Sequence, residues 1–542
     1  MDQTAVVFLL DGASFEELLS IPEVRGLAGE GGAALLSART PLRGALSGAG
    51  DLPMNVYLLG EVPDGSGREA SLGAAGDAIS SVLAMIPKEQ RALVIAATSS
   101  PSGAMRSRKD DLLGFVMAEG PVTTLVDAAT GPPPAADQLS ALTSPSTRRD
   151  GVVVSADVLP TIEFAFDANK EHGDRPIISF TTAPAPFELH ERYLANRRMT
   201  VPLQAAAGIY FVAIGLFGIL TLRSRTHGRV RSIAAWVAFS VIPFATALLL
   251  AGHLPSLSYA TVVPFVVAAT IAGTLAFVPV ERARGPVTAA AAAGAAVLAM
   301  FVVESALGWT AALTPFLGGS QLDGGRFFGL PNAYVGLVMG AAVYAAAVVD
   351  RPVVGTALVV AAGLFAGLPW TGSNLGGSVT IFAAAGLWYG VRSTGRLGAR
   401  AVVWTAGMVA AGTAVVLAAH RFLASSPTHI TRFVEGESGG ILDSFVHRLQ
   451  VGFDLIARNP FALIPVVGVP LCLLAVLRPP PALRPTFERR PAWRDALLTI
   501  LAASVVAYVV NDSGAAALGL GFGSGLAGIL YVSLLDPPGM MA

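Results

Sequence analysis

Hydrophobic and polar positions divide the chain into two parts. Up to about residue 200, short apolar runs alternate with charges and turn residues, whereas later residues form repeated apolar runs of roughly 20 residues. A helix of that length crosses a bilayer. The pattern predicts a soluble head at residues 1–168, a linker or docking segment at 169–200 and a polytopic membrane domain at 201–542.

Strands and helices alternate in the predicted head. Short apolar runs, which are typical of buried strands, occupy residues 4–10, 33–36, 92–97 and 151–154. A helical pattern covers residues 14–27, and another helix is predicted to end at residues 82–85. This alternation predicts an α/β sandwich.

The membrane domain is predicted to be all-α, with about eleven helices that each supply roughly 20 apolar residues. The candidate spans are residues 202–222, 233–252, 259–280, 286–307, 331–349, 352–369, 375–391, 400–419, 460–477, 494–510 and 514–535. The loop at 420–459 contains apolar residues at helical spacing between 442 and 456. That segment is predicted to be an amphipathic helix, which either covers a polar pocket or packs against other helices.

Arginines mark alternate loops of the membrane domain. They are Arg223, Arg225, Arg229, Arg231, Arg282, Arg284, Arg351, Arg392, Arg396, Arg400, Arg478, Arg484, Arg489, Arg490 and Arg494. Because arginine-rich short loops stay in the cytoplasm, we predict a multi-pass protein of the cytoplasmic membrane, with an extracytoplasmic head and a cytoplasmic C-terminus. Arg192, Arg197 and Arg198 favour the opposite orientation, which would place most loop arginines outside. Residues 4–10 are too short for a signal peptide and lack a basic flank, so we expect either an upstream precursor segment or a different natural start.

Composition agrees with a membrane protein and excludes other classes. Hydrophobic residues make up 53% of the chain, charged residues 13%, and the mean hydropathy is +0.62. A net charge of -1 argues against a nucleic-acid partner, which would require clustered positive charge. Cys472 is the single cysteine, so neither a disulfide framework nor a thiolate metal cluster is available.

Three stretches of the head resemble the alkaline phosphatase and sulfatase superfamily. They read VVFLLDGASFEEL, PEVRGLAGEGGAALLSART and SADVLPTIEFAF. In this resemblance Asp11 matches the metal-binding aspartate after the first strand, Thr40 lies near the nucleophile position, and Asp157 opens the D-x-x-P-T run. The resemblance implies a reduced fold of that type and a reaction in which two divalent metals hold a phosphate or sulfate ester.

The resemblance also predicts a catalytically degenerate head. Where the superfamily has an aspartate and a histidine, this chain has residues 98–101 (TSSP), and residues 143–151 contain no histidine. We therefore predict no metal and no cofactor, and we treat Asp11, Thr40 and Asp157 as a remnant site. Ser37 and Ser47 are further nucleophile candidates, while Asp11 is alternatively a turn residue or a helix N-cap. Arg148 and Arg149 either bind an anionic head group or form a solvated pair.

Four polar stretches of the membrane domain share the predicted outer side. They are residues 326–332, 369–377, 427–435 and 511–514. Polar side chains at the membrane boundary cost free energy and are therefore commonly functional. We predict that substrate is bound by Arg326, Asn332, Asn374, Arg432 and Asn511. Asp512, Glu304 and His429 are the candidate acid or base residues. The alternative for the asparagines and for Asp512 is helix capping.

The same stretches resemble an uncharacterised family of bacterial multi-span proteins with a phosphatase-like head. The family has R-F-Y-G-x-G-N-E-Y, G-A-N-x-G-G and N-D-S-G runs, and this chain has RFFGLPNAY, GSNLGG and NDSG. Ala333 stands where the family has glutamate. No established activity accompanies this resemblance.

These observations leave three functions open. In the first, the protein handles a lipid-linked or anionic glycan substrate of the cell envelope at the outer face of the membrane, with a degenerate head. In the second, it is a non-catalytic scaffold or regulator whose head is an interaction module. In the third, it is an active transferase similar to phosphoethanolamine or phosphoglycerol transferases. The bilayer is its predicted partner, and the sequence does not determine the oligomeric state.

Overall fold

The described part of the chain forms two compact units. The computed structural model describes residues 3–37, 42–46, 52–102, 105, 112–166, 177–224, 228–318, 322, 327–349, 351–424, 430, 450, 462–511 and 514–536. The first unit comprises Met1–Arg198, Ser320–Phe327 and Ser425–His429. The second comprises Met199–Gly319, Phe328–Ala424 and Ile430–Ala542.

A mixed sheet forms the centre of the first unit. Its strands are β1 (Gln3–Asp11), β2 (Gly32–Ser37), β3 (Met54–Glu61), β4 (Arg91–Ser100), β5 (Leu113–Pro121), β6 (Ser140–Thr143), β7 (Val152–Val154) and β8 (Ser179–Pro184). Within the described residues, the order is β3-β1-β4-β5-β2-β6-β8, and β7 pairs with β2.

One edge of this sheet collects the ends of several strands. β1 is parallel to β3 and β4, and β2 is parallel to β6 and β7. β5 lies antiparallel between β4 and β2, so both parallel groups run in the same direction. The residues after β1, β2, β4 and β7 therefore emerge at a common edge, which we call the carboxyl edge.

Helices cover both faces of the sheet. They are α1 (Phe15–Ser20), α2 (Pro22–Glu30), α3 (Leu42–Leu46), α4 (Arg68–Met85), α5 (Val122–Thr130) and α6 (Val158–Phe166). On one face, Val7 and Phe115 share a buried core with Ile162 of α6. On the other face, a Cβ atom on Gly114 would lie 2.7 Å from the Leu18 side chain of α1. This layering agrees with the predicted α/β arrangement.

A capping box fixes the start of α1. The Glu17 N–H donates to Ser14 Oγ at 3.3 Å, and the Ser14 N–H donates to the Glu17 carboxylate at 2.8 Å. Arg68 Nε donates to the same carboxylate at 2.6 Å. Burial alone would raise the pKa of Glu17, but the hydrogen bonds from Arg68 and Ser14 outweigh it and lower the pKa from 4.5 to about 2.

The four strand predictions in the head are confirmed by β1, β2, β4 and β7, and the helix end predicted at 82–85 is confirmed by α4. The sequence pattern did not predict β3, β5, β6 or β8. The single helix predicted at 14–27 was wrong, because the chain is extended at Ile21 and forms α1 and α2 on either side. The residue before Pro22 is sterically disfavoured in the helical region.

The segment predicted as a linker, residues 169–200, contains regular structure where it is described. β8 pairs antiparallel with β6, and the helix Phe187–Arg223 begins before residue 200. The compact first unit extends to Arg198. Mixed charges and prolines give this segment no clear period, which is why the pattern did not predict the strand.

The remaining helices are predominantly apolar. They are α7 (Phe187–Arg223), α8 (Arg229–Phe239), α9 (Val241–Leu250), α10 (Tyr259–Leu275), α11 (Val278–Arg284), α12 (Pro286–Ala306), α13 (Val335–Ala347), α14 (Pro352–Gly367), α15 (Leu375–Thr394), α16 (Ala399–Phe422), α17 (Leu463–Leu477), α18 (Arg484–Arg489), α19 (Pro491–Val510) and α20 (Gly514–Leu535).

Seven helical segments of the described residues are long and apolar enough to cross a membrane. They are Phe187–Arg223, Arg229–His253, Tyr259–Arg284, Pro286–Ala306, Ala399–Phe422, Pro491–Val510 and Gly514–Leu535. Shorter apolar helices at Asn332–Ala347, Pro352–Gly367 and Leu463–Leu477 coincide with further predicted spans, as does α15. The chain is therefore compatible with a membrane protein, and the count of eleven spans stays a prediction.

The helices α15 and α19 run antiparallel and are tied at both ends. At one end Arg392 Nη1 lies 3.4 Å from Asp495 Oδ2, and the Arg392 guanidinium lies 5.7 Å from the Trp388 ring centroid. At the other end Asn511 Nδ2 donates to Thr380 Oγ1 at 3.1 Å. We call this second end, marked by Thr380 and Asn511, the polar end of the second unit.

Candidate functional site

Asp11 lies at the carboxyl edge and accepts hydrogen bonds from hydroxyl groups. Ser99 Oγ and Ser100 Oγ both donate to Asp11 Oδ1, the latter at 2.9 Å. Arg43 Nη2 lies 4.0 Å from the other carboxylate oxygen. The alternative prediction that Asp11 is a helix N-cap is wrong, because Ser14 caps α1.

Asp157 is a second acid at the carboxyl edge, and its side chain is fully buried. Ser144 Oγ and Ser146 Oγ donate to its carboxylate, the latter at 2.9 Å. Thr161 Oγ1 donates to the Asp157 carbonyl oxygen at 2.6 Å, within the first turn of α6. The third remnant residue, Thr40, lies outside the described residues, as does Ser47.

The groups around Asp11 do not fit the pair of divalent metals that the phosphatase resemblance implies. Zinc sites in proteins use carboxylate, imidazole or thiolate ligands, whereas Asp11 is surrounded by serine hydroxyls and a guanidinium. A guanidinium at 4.0 Å from the carboxylate repels a cation. In the described part of the chain, no three His, Cys, Asp or Glu side chains are grouped to hold a metal ion.

The arginines of the loop between β6 and β7 differ in environment. Arg149 Nε donates to the Phe327 carbonyl oxygen at 3.0 Å, within the first unit. Arg148 is exposed and has a positive φ of 53°. The prediction of a solvated pair is therefore wrong for Arg149.

Asn374 joins two of the polar stretches at the polar end of the second unit. Its side chain is fully buried. Asn374 Oδ1 accepts from the Gly377 N–H at 2.8 Å and so caps α15. Its Nδ2 donates to the Leu330 carbonyl oxygen and to Asn332 Oδ1, both at 2.9 Å. The predicted residues Asn332 and Asn374 are thus in direct contact.

Glycines allow the same two stretches to approach closely. The Leu330 N–H donates to the Gly372 carbonyl oxygen at 2.7 Å. Gly329 has a φ of 101°, and a Cβ atom there would lie 2.0 Å from that carbonyl oxygen. Only glycine satisfies both the conformation and the contact.

Asn511 brings the third stretch to the polar end. Its Nδ2 donates to Thr380 Oγ1 at 3.1 Å and to the Ala507 carbonyl oxygen at 3.0 Å. Its Oδ1 is buried and has no hydrogen-bond donor among the described residues. A Cβ atom on Gly376 would lie 2.7 Å from this oxygen. Three of the four predicted polar stretches therefore contact one another.

Glu304 is held in a buried hydrogen-bonded position, with 2% of its surface exposed. Its Oε1 accepts from the Ala311 N–H at 2.7 Å, and its Oε2 lies 2.7 Å from His253 Nε2. The His253 side chain is 33% exposed. We did not predict His253, although its place at the end of the second apolar run, on the predicted side of Glu304, is a usable signal.

Trp309 connects Glu304 to the polar stretches. Its backbone N–H donates to the Glu304 carbonyl oxygen at 2.8 Å, and its Nε1 donates to the Thr371 carbonyl oxygen at 2.7 Å. Glu304, Asn332, Asn374 and Asn511 consequently belong to one connected region of the second unit.

Backbone strain occurs in the same regions. Among the described residues, the non-glycine residues with positive φ are Arg148, Trp309 and Ser373, at 53°, 63° and 44°. This conformation is unfavourable for side chains with a Cβ atom, and it persists where surrounding contacts enforce it. Two of the three lie on the path from Glu304 to Asn374.

Several predicted site residues lie outside the described residues. They are Arg326, His429, Arg432 and Asp512, together with the amphipathic segment at 442–456. Their proposed roles stay predictions.

No protein-family model, curated protein or solved structure matches this chain. The two family resemblances therefore rest on their motifs alone.

Proposed function

We propose that the chain is an integral membrane protein that handles a lipid-linked or anionic glycan substrate at the outer face of the cytoplasmic membrane. The pairing of buried Glu304 with partly exposed His253 is the observation that supports this proposal most. An ionisable residue in a membrane-spanning helix is costly and commonly functional. In this proposal the pair accepts and returns a proton, and the head performs no hydrolysis.

The two members of the pair have different roles. Glu304 is fixed by the Ala311 N–H and is almost inaccessible, so it acts as a positioning residue. His253 is the group that reaches substrate. With Nε2 donating to Glu304, Nδ1 carries the free lone pair and acts as the base. This role replaces the direct base role that we predicted for Glu304.

Substrate recognition is assigned to the polar end. Asn511 Oδ1, which is buried and has no hydrogen-bond donor among the described residues, suits a hydroxyl donor such as a sugar. The proposal keeps the prediction, made from the sequence, that Arg326 and Arg432 bind a phosphate or carboxylate.

Lipid identification in purified protein tests the proposal. Wild type, His253→Gln, Glu304→Gln and the control Glu488→Gln are reconstituted in nanodiscs, and bound lipids are identified by mass spectrometry. Glu488 is exposed in α18, so its variant makes the same charge change outside the pair. We expect one glycan-bearing or anionic lipid in wild type and control, and its accumulation in an unreacted form in both variants of the pair. Identical lipid profiles in all four proteins would refute the proposal.

A non-catalytic scaffold is the second candidate, because the asparagines also serve the fold. Asn374 caps α15, and Asn511 cross-links α19 to α15. If His253→Gln and Glu304→Gln support growth as wild type does while Asn374→Ala fails, the scaffold is favoured.

An active transferase is the third candidate and needs a metal site in the head. The serine and arginine surroundings of Asp11 argue against it. Stoichiometric zinc in the purified protein, lost in Asp11→Asn, would restore this candidate.

A further inference from the structure

The helix α17 exposes an apolar stripe along one side. The stripe residues recur three or four positions apart, which places them on one face of the helix, and each is between 43% and 60% exposed: Leu463, Val467, Leu471, Leu474 and Leu477. The opposite face is packed inside the second unit. Val469 and Val476 are buried there, and a Cβ atom on Gly468 would lie 2.4 Å from Phe522 Cζ of α20. The stripe is therefore an outer surface of the unit.

Two arginines follow this stripe directly. Arg478 ends α17 and Arg484 begins α18, and both are exposed. Among the described residues, neither guanidinium has a hydrogen-bond or ion-pair partner. The next arginines along the chain are engaged, because Arg489 Nη1 and Arg490 Nε each lie 3.0 Å from the Asp536 carboxylate. Arg478 and Arg484 therefore leave two positive charges available to a ligand.

The two arginines lie at the end of the second unit that is opposite the polar end. Arg494 Nε donates to the Val476 carbonyl oxygen at 3.1 Å, which fixes the end of α17 beside the start of α19. Asp495 pairs with Arg392 at this same end, whereas Asn511 follows α19 at the polar end. The surface is thus separate from the region to which substrate recognition is assigned.

We propose that α17 and the two arginines bind an anionic phospholipid. The apolar stripe contacts its acyl chains, and Arg478 and Arg484 bind the phosphate oxygens of its headgroup. Guanidinium groups match phosphate oxygens in both geometry and charge, and arginines next to a membrane helix attract anionic lipids. The stripe alone would equally suit a helix of another membrane protein, but the two unpaired positive charges directly after it favour a lipid with a charged headgroup.

This inference goes beyond the proposed function and does not rest on it. The lipid site involves neither the pair of His253 and Glu304 nor the asparagines of the polar end. A lipid bound here stays bound whether or not the protein performs a reaction.

Native mass spectrometry of the purified full-length protein tests the site. The protein is titrated in detergent with dioleoylphosphatidylglycerol or, as the neutral comparison, with dioleoylphosphatidylcholine. One arginine near the headgroup should raise the affinity for the anionic lipid about fivefold, and two should raise it roughly 25-fold. We expect this preference in wild type, a preference of about fivefold in Arg478→Gln, and none in the double variant that also carries Arg484→Gln.

A double variant with Arg396→Gln and Arg400→Gln is the matched control. Both arginines are exposed in the connection from α15 to α16, at the same end of the unit as Arg392, so the control loses the same charge away from α17. It should keep the wild-type preference. The same loss of preference in both double variants would overturn the proposal, because general surface charge would then explain the binding. Equal affinities of wild type for the two lipids would overturn it as well.

Cys472 locates the bound lipid. It is the single cysteine of the chain and is half-buried in α17, next to Leu471 of the stripe. A fluorophore attached to Cys472 should be quenched more strongly by phosphatidylglycerol with brominated acyl chains than by the corresponding phosphatidylcholine. This difference should disappear in the double variant of Arg478 and Arg484. Equal quenching by the two lipids in wild type would show that the anionic lipid binds elsewhere and would overturn the proposal.

Discussion

Replacing Asn374 by alanine should destabilise the second unit far more than the loss of an ordinary helix cap. The change removes the acceptor for the Gly377 N–H, worth about 1 kcal/mol. It also leaves the buried Leu330 carbonyl oxygen and Asn332 Oδ1 without the hydrogen bonds that Asn374 Nδ2 donates to them. These losses should lower the free energy of unfolding by roughly a further 1–3 kcal/mol. We expect a total loss of roughly 2–4 kcal/mol in the free energy of unfolding.

Ser258→Ala provides the matched comparison. Ser258 caps α10 through the Thr261 N–H at 3.3 Å in exposed surroundings, so its removal should cost only about 1 kcal/mol. Unfolding of purified protein in mixed micelles, followed by tryptophan fluorescence, measures both. In Asn374→Asp, one carboxylate oxygen can still accept the Gly377 N–H. The other would replace the amide donor and would face the Leu330 carbonyl oxygen and Asn332 Oδ1, which both lie 2.9 Å from Nδ2 in wild type. The repulsion should make Asn374→Asp at least as unstable as Asn374→Ala. Equal stabilities of the Asn374→Ala and Ser258→Ala proteins would refute this reasoning.

Three further predictions concern a pH dependence, a glycine and an ion pair. Because the pKa of Glu17 is about 2 in the folded head and 4.5 is its ordinary value, its stabilisation is complete above pH 4.5 and is lost as the pH falls toward 2. Because a quarter of the Glu17 side chain is exposed, we expect this carboxylate to contribute about 1–2 kcal/mol to the free energy of unfolding. The free energy of unfolding of Glu17→Gln should therefore depend less on pH in the acid range than that of wild type. The same pH dependence in both proteins would contradict this prediction. Gly329→Ala should lower the melting temperature more than Gly308→Ala. Gly308 also has a positive φ, but its Cβ position lies in open space, so it serves as the control. Equal decreases in melting temperature would show that the close contact between Gly329 and Gly372 is unimportant. Arg392→Gln should cost about 3 kcal/mol of the free energy of unfolding, because it removes the arginine that is hydrogen-bonded to the buried Asp495. Adding Asp495→Asn should recover part of this loss in the same unfolding assay. A double variant no more stable than the single one would argue against the pair.

Local periodicity was enough to predict the main elements. The four confirmed head strands are continuous apolar runs, and the helices of the second unit are mostly long apolar runs, so both signals lie in consecutive residues. The missed strands lack such a signal. β3 exposes Val56 and Leu58 at 41% and 57%, and β5 contains Gly114 and Gly120, which weaken a strand pattern.

The candidate site was only partly predictable, because its contacts join distant residues. The charge pattern placed Asn332, Asn374, Asn511 and Glu304 on one predicted side of a membrane, but it gave no partners. His253 was not identified, although its place at the end of the second apolar run was a usable signal, because its partner Glu304 lies 51 positions further along the chain.

The sequence by itself determined an α/β head, an apolar helical body and the type of residue available at each helix end. Those properties follow from local composition and spacing. Only the tertiary structure decided that Asn374 meets Asn332 across 42 positions and that Asn511 meets Thr380 across 131. It also decided that Ser37 holds Leu322 across 285 positions. A hydrogen bond requires a donor and an acceptor within about 3 Å. Tertiary packing brings such groups together from distant positions, and the residues next to each group in the sequence do not indicate its partner.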